Sequence, residues 1–195
     1  MFRIFFAFVL WVNITWSLEI DRVFGASSFK FLKLPLSPRI VGMGGSGVAA
    51  AQDASALDLN PAAANLDGGL LNVGRGYPFS EFQANSNFIT WSLPINAYRL
   101  LLNARYLGYD DLPGALETGI KTTDYSAHTL KLQAGLAGKW QAIGWGLTGN
   151  FAENNIAEAH YGTVMINAGL DYAVGDHIAL GASAINADIW TSKAQ

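Results

Sequence analysis

An all-β fold, an antiparallel β-barrel that spans a membrane, is the class this sequence predicts, on three observations. About seven segments alternate apolar with polar residues. Glycine and aromatic residues are plentiful, at 21 glycines and 12% aromatics. Charge is scarce: 14% of residues are charged against 51% hydrophobic, where a water-bathed domain carries about a quarter, so much of the surface is expected not to face water. A length of 195 residues suits one domain with a real core. The formal charge of -3, with dispersed lysines and arginines, excludes a nucleic-acid partner, which needs a basic face. The absence of cysteine removes disulfide scaffolds, thiolate metal sites, cysteine nucleophiles and a lipid-bearing cysteine.

Taken in order, residues 1–17 read as an export signal. Arg3 supplies the positive start, Ile4 to Val12 (IFFAFVLWV) the apolar core, and Thr15-Trp16-Ser17 the small residues of a cleavage site. The apolar run is too short for a spanning helix, Asn13 interrupts it, and no later stretch is long enough to serve as one. Residues 18–67 form a segment of a different kind, expected to include a short helix around Val48–Ala51, and residues 68–195 carry the strands.

The strand reading rests on side-chain alternation. From Tyr98 to Tyr106, one face takes Tyr98, Leu100, Leu102, Ala104 and Tyr106, and the other Arg99, Leu101, Asn103 and Arg105. Eight steps of about 3.3 Å, tilted by about 40°, cover roughly 20 Å, close to the height of an outer-membrane apolar band between aromatic girdles. Ser126 to Trp140 sets Leu130, Leu132 and Leu136 against Thr129, Lys131, Gln133 and Lys139. Ala142 to Ala152 sets Trp145, Leu147 and Phe151 against Gly144, Gly146, Thr148 and Asn150. Gly162 to Val174 sets Val164, Ile166 and Leu170 against Thr163, Asn167 and Gly169, and Ile178 to Ala184 behaves likewise. Leu70 to Tyr77 and Phe82 to Leu93 alternate less cleanly, since Asn85 and Asn87 share parity with Ile89 and Trp91; a bulge or a covered lumen would explain this. The polar faces, with Arg99, Arg105, Lys131 and Asn167, are expected to line the lumen. On that basis Leu132→Arg should be costly and Gln133→Arg mild. The connections predict a long loop from Gly108 to Tyr125, a tight turn near Lys139–Ala142, a medium loop through ENNIAEAH (Glu153–His160) and a turn at Gly175-Asp176.

Catalytic chemistry is thin. Gly42-Met43-Gly44-Gly45-Ser46-Gly47 spells G-x-G-x-x-G, but Pro38 truncates any strand before it and no βαβ rhythm follows, so a dinucleotide turn is excluded. A bend that lets backbone pass closely in a crowded lumen is the expected use of those glycines. His128, His160 and His177 lie on separate segments without metal-ligand spacing, and Val48 stands where a nucleophile elbow needs glycine after Ser46. No enzyme activity, metal or cofactor is expected.

Several motifs together resemble one family. Phe31-Leu32, Leu34-Pro35 and Ser37-x-Arg39 look like the F-L-x-L-P-x-S-x-R opening of PorV/PorQ-like proteins. Met43-Gly44-Gly45, with Asp53-Ala54-Ser55-Ala56 through Asn60-Pro61-Ala62, looks like the hatch shared with FadL-type outer-membrane channels. Tyr106-Leu107-Gly108-Tyr109, Asp111-Leu112-Pro113-Gly114, Thr123-Asp124-Tyr125-Ser126 and Asn167 to Tyr172 resemble later segments of that group; Ala63-Ala64 departs from the usual continuation of the hatch. The resemblance implies an outer-membrane barrel preceded by a hatch built on Arg39, Gly42, Gly44, Gly45, Asp53, Asn60 and Pro61, with lipid around it. Type IX secretion components and secreted cargo are the implied partners. A FadL-like channel for hydrophobic small molecules and a soluble secreted β-sandwich that binds a partner are the alternatives. FadL-type barrels close with fourteen strands, so residues 68–195 are expected to be the N-terminal half of a barrel and the chain an N-terminal fragment, ending without a last amphipathic strand.

Overall fold

Seven antiparallel strands, hydrogen-bonded in simple chain order, make up the computed structural model of this protein, which describes residues 29–34, 37–49, 54–64, 68–79, 84–112, 124–174 and 178–193. The export signal, Asp53, the turn at Gly175-Asp176 and His177 lie outside the described residues. Residues from Phe31 onward form one compact unit. The strands are β1 (Leu70–Phe79), β2 (Ala84–Ile95), β3 (Tyr98–Leu112), β4 (Tyr125–Trp140), β5 (Ile143–Ile156), β6 (Ala159–Val174) and β7 (Ile178–Lys193). The sheet is open, with β1 and β7 as its edges. The expected all-β class and strand number are present; a closed barrel is not.

The strands run longer than side-chain alternation marks. β5 and β6 are joined at Ala157–Glu158, so the medium loop expected through ENNIAEAH is strand. Asn154 points to the buried face there and accepts from Thr129 Oγ1 at 3.0 Å, which keeps an asparagine-rich stretch in the ladder. Three two-residue turns, Asn96–Ala97, Gln141–Ala142 and Ala157–Glu158, each begin with a residue at φ between 53° and 56°. A left-handed first residue matches the right-handed twist of a hairpin and closes it without glycine. β3 continues through Gly108 to Leu112, where a loop was expected. β7 reaches Lys193 by way of two register shifts, one at the bulge around Asn186, whose φ is 55°, and one between Asp188 and Trp190. Together they interrupt the alternation and hide the end of the strand from sequence periodicity.

Burial is reversed relative to a water-soluble sheet. While Phe88, Leu101, Leu107 and Met165 are buried on the inner face, many large apolar side chains face outward, with Trp91, Leu132, Leu147 and Leu170 44–54% exposed. They stand in continuous cross-strand rows, for example Val73–Ile89–Ala104–Leu132–Phe151–Val164–Trp190. The polar side chains face inward and are buried: Thr90, Asn103, Gln133, Thr148, Asn150, Thr163 and Asn167 are all at or below 5% exposure. β2 explains its own irregular pattern. Its register against β3 is unbroken, and Asn85 and Asn87 face outward beside Ile89 and Trp91. They belong to the rows of His128, Asn155, Tyr106 and Glu153, so the outer face turns polar at this end of the sheet. No bulge is needed.

The inner face is covered by the segment 31–64. Its elements are a 3₁₀ turn (Lys30–Lys33), the helix α1 (Pro38–Gly42) and two further 3₁₀ turns, Ala54–Asp58 and Pro61–Ala64. Leu57 and Ala64 from the segment meet Leu101 and Ala137 from the sheet in a small apolar core. Polar contacts join the two layers as well, among them Lys131 with Asp58, Arg105 with the Leu34 carbonyl and Asn60 with the Leu170 carbonyl.

Candidate functional site

The covered inner face is the candidate site, and Asn60 is its most completely bonded side chain. Asn60 is fully buried. Its Nδ2 donates to the carbonyls of Val48 at 2.7 Å and Leu170 at 3.0 Å, and its Oδ1 accepts from the Ala62 backbone N–H at 2.9 Å. One amide thus joins both ends of the segment's last loop to β6. Pro61 then starts a 3₁₀ turn, where its fixed φ fits and its missing N–H is not needed.

Room for this loop comes from two strand glycines that stand opposite each other, Gly146 on β5 and Gly169 on β6. A Cβ on Gly146 would overlap the backbone of Pro61 and Ala62, and one on Gly169 would overlap the Asn60 side chain. Gly181 is crowded in the same way by Val48 and Ala49, and Ser183 Oγ donates to Leu59 O at 2.6 Å. Close backbone approach, expected at Gly42–Gly47, is thus met at the strand glycines Gly146, Gly169 and Gly181 and not at Gly42, Gly44 or Gly45.

The Gly42–Gly47 stretch has a different use. Ser37 caps α1, accepting from Arg39 N–H at 3.2 Å, and Pro38 occupies the first turn. At the other end Gly45 N–H bonds Ile40 O at 2.9 Å and Gly44 N–H bonds Val41 O at 3.0 Å, with φ of 79° and 68°. This is a Schellman ending, which needs left-handed residues after the helix. Nothing lies within 4 Å of a Cβ built on Gly42, Gly44 or Gly45, so handedness and not crowding places glycine at 44 and 45. A helix thus precedes the glycines; Val48 and Ala49 form a turn, and Ala50 and Ala51, the rest of the stretch expected to be helical, lie outside the described residues. Arg39 is exposed and enters through its backbone.

The cations expected to line a lumen lie on the inner face and are engaged with the segment. Lys131 Nζ pairs with Asp58 Oδ1 at 2.6 Å, with the two side chains 3% and 12% exposed. Arg105 Nη1 donates to Leu34 O at 2.9 Å, and its guanidinium lies 5.5 Å from the centre of the Phe31 ring. Arg99 bonds Gly68 O and, at 2.9 Å, Ser92 Oγ, which itself donates to Ala64 O at 3.2 Å. Asn167 Oδ1 accepts from Asn150 Nδ2 at 2.9 Å and from the Asn186 backbone N–H at 2.7 Å, pinning the bulge of β7. Gln133 donates to Thr148 Oγ1 at 2.9 Å and reaches Leu57 O at 3.4 Å. It is 4% exposed, so the expected mildness of Gln133→Arg does not follow: a larger cation there has no space beneath Leu57.

Asp58, Gly146, Gly169 and Ser183 carry this interface without having been singled out as site residues. The sequence does set Gly146 and Gly169 on polar faces, but only the strand register brings them under Asn60. Among the described residues no group of three or more histidine, cysteine, aspartate or glutamate side chains is placed to hold a metal ion. No helix among them is long and apolar enough to cross a membrane, which has no bearing on crossing by strands. Compared with known proteins, the chain matches no family model, no curated protein and no solved structure.

Proposed function

We propose that this chain forms a membrane-spanning antiparallel sheet of the outer-membrane barrel type, exported by residues 1–17, with the segment 18–67 as a hatch on its inner face. Its role on this reading is that of a PorV/PorQ-like accessory of type IX secretion, binding secreted cargo or the surface-attachment machinery.

The reversed burial carries the membrane part. Water expels apolar surface, and a large contiguous apolar face is rare on a water-bathed monomer. Here that face is a band between Tyr98, Trp145 and Tyr172 at one end and Tyr106, Asn87 and Glu153 at the other, while amides and hydroxyls fill the interior. A soluble sandwich requires the opposite arrangement. Against a channel for hydrophobic compounds stand the row Thr90–Asn103–Gln133–Asn150 and the engaged cations Arg99, Arg105 and Lys131, which offer an apolar solute little. The secretion role draws on the sequence motifs of the hatch.

Fractionation of cells expressing the protein tests the first step: recovery in the outer membrane, resistant to carbonate washing, is expected, and a soluble periplasmic product would refute it. Affinity capture from a strain with type IX secretion should then recover secretion components. Fatty-acid uptake that depends on the protein, without such capture, would favour the channel.

A further inference from the structure

On the outward face of β1, β2 and β3 lies an open hollow of about 550 Å³, placed where the apolar band gives way to polar residues. Its apolar part is the cross-strand row Val73–Ile89–Ala104. Ala104 is the smallest side chain of that row and stands between Ile89 and Leu132, which leaves the row low there. One row further along the strands stand Arg75, Asn87 and Tyr106, which line the same hollow. Arg75 is exposed, and among the described residues no carboxylate is paired with it; its guanidinium lies 5.2 Å from the centre of the Tyr77 ring. The other arginines of the strands, Arg99 and Arg105, face inward and are buried. A guanidinium that points outward at the margin of an apolar face, with no acid of its own, is suited to an anion from outside the chain. Phosphate oxygens match its planar fork of donors.

We infer that this hollow holds one anionic phospholipid of the surrounding bilayer, with its phosphate on Arg75 and an acyl chain along Val73, Ile89 and Ala104. The inference rests on the membrane reading of the sheet and adds to it a defined lipid site. Three observations select this occupant. The apolar row and the cationic row follow each other in the direction in which the outer face turns polar, which is the order of acyl chain and headgroup across a leaflet. The apolar row is continuous with the outward row that crosses the sheet to Trp190, so the hollow opens from the face assigned to lipid. Arg75 brings an unmatched positive charge, and cations at this depth attract anionic lipids. A zwitterionic headgroup carries a cation of its own that would compete with Arg75, and a free phosphate would leave the apolar row unfilled. Tyr77 and Tyr106, 60% and 39% exposed, stand at the same margin, the level at which tyrosine gathers in membrane proteins.

The test is calorimetric titration of the full chain in a non-ionic detergent with dihexanoyl phosphatidylglycerol, dihexanoyl phosphatidylcholine and inorganic phosphate. Saturable binding of the phosphatidylglycerol is expected, at least tenfold tighter than either of the others. Arg75→Gln should abolish the preference between the two lipids, and Arg75→Lys, which keeps the charge, should retain most of it. Ala104→Leu fills the hollow without touching the guanidinium and should weaken phosphatidylglycerol binding at least tenfold while the circular dichroism spectrum stays unchanged. Equal binding of the two lipids, phosphate bound as tightly as phosphatidylglycerol, a preference that survives Arg75→Gln, or binding unaltered by Ala104→Leu would each overturn the inference. Any of these results with protein recovered from carbonate-washed outer membrane leaves the membrane reading standing. Recovery as a soluble periplasmic product refutes that reading, and the lipid site with it.

Discussion

Replacing Asn60 by leucine should release the segment 31–64 from the sheet without disturbing the strands. The side chain makes three hydrogen bonds, to Val48 O, Leu170 O and the Ala62 N–H. A typical intramolecular hydrogen bond contributes about 1 kcal/mol net, so the three sum to about 3 kcal/mol. Leucine restores none of them, and its methyl groups would rest on Gly169, where the amide now sits. At about 1.4 kcal/mol per factor of ten, about 3 kcal/mol raises the open population of the segment roughly a hundredfold. That population is read by hydrogen exchange at the Ala62 N–H and by protease cleavage between Arg39 and Ala64, both of which follow local opening. Asn60→Asp is the sharper companion: it keeps the acceptor for Ala62 but turns a carboxylate oxygen toward two carbonyls, and should open the segment further. Exchange and cleavage within about twofold of the parent protein in both variants would refute the assignment of Asn60 as the tie.

On β5, Gly146→Ala should cost about 1–3 kcal/mol in unfolding because its Cβ meets the Pro61–Ala62 backbone, whereas Gly149→Ala, with open space on the outer face, should be near neutral; equal effects would dissociate the strand glycines from the segment. Leu132→Arg, in the apolar band, should cost about 2–4 kcal/mol in bilayer-assembled protein. Asn87→Arg, on the same face but beyond the band, should be tolerated, and equal tolerance at both positions, measured by urea titration in liposomes, would remove the membrane reading. Lys131→Met strands the Asp58 carboxylate between the layers and should cost about 3–5 kcal/mol, much of it recovered in the double variant with Asp58→Asn; a double-mutant cycle without coupling would show the pair to be inert.

The strands were legible because one face of each is uniformly apolar, and period-two alternation survives wherever the register is regular. It failed where register or composition changes. Glu153 to His160 is polar throughout, so nothing in its pattern separates a loop from a hairpin tip held by Asn154 and Thr129. Between Ala184 and Trp190 two register shifts change parity twice, and the alternation of β7 stops being readable although the strand continues to Lys193. Asn85 and Asn87 looked like a register fault because sequence alone does not show how far along a strand the apolar band extends.

The glycines show most sharply what a sequence withholds about the site. Gly44 and Gly45 stand in a conspicuous cluster, and their cause is local: two left-handed residues that end α1, with open space around them. Gly146 and Gly169 look like ordinary strand glycines of a weakly polar face, and their cause is distant. Gly169 is crowded by a side chain more than a hundred residues earlier in the chain, and the bond from that side chain to Leu170 spans 110 residues. A glycine required by backbone handedness leaves its trace in its neighbours, here Ser37, Pro38 and the helical turn between. One required by the passage of another segment leaves no local trace, because the residue it accommodates lies elsewhere. Asn60-Pro61 and the facing pair Gly146 and Gly169 are therefore two halves of one contact. A smaller residue at position 60 would give up the three bonds of the Asn60 amide, and the Pro61–Ala62 backbone that crowds Gly146 has no side chain to shorten. A larger residue at either glycine should therefore release the segment even when paired with a smaller residue at 60 or 61.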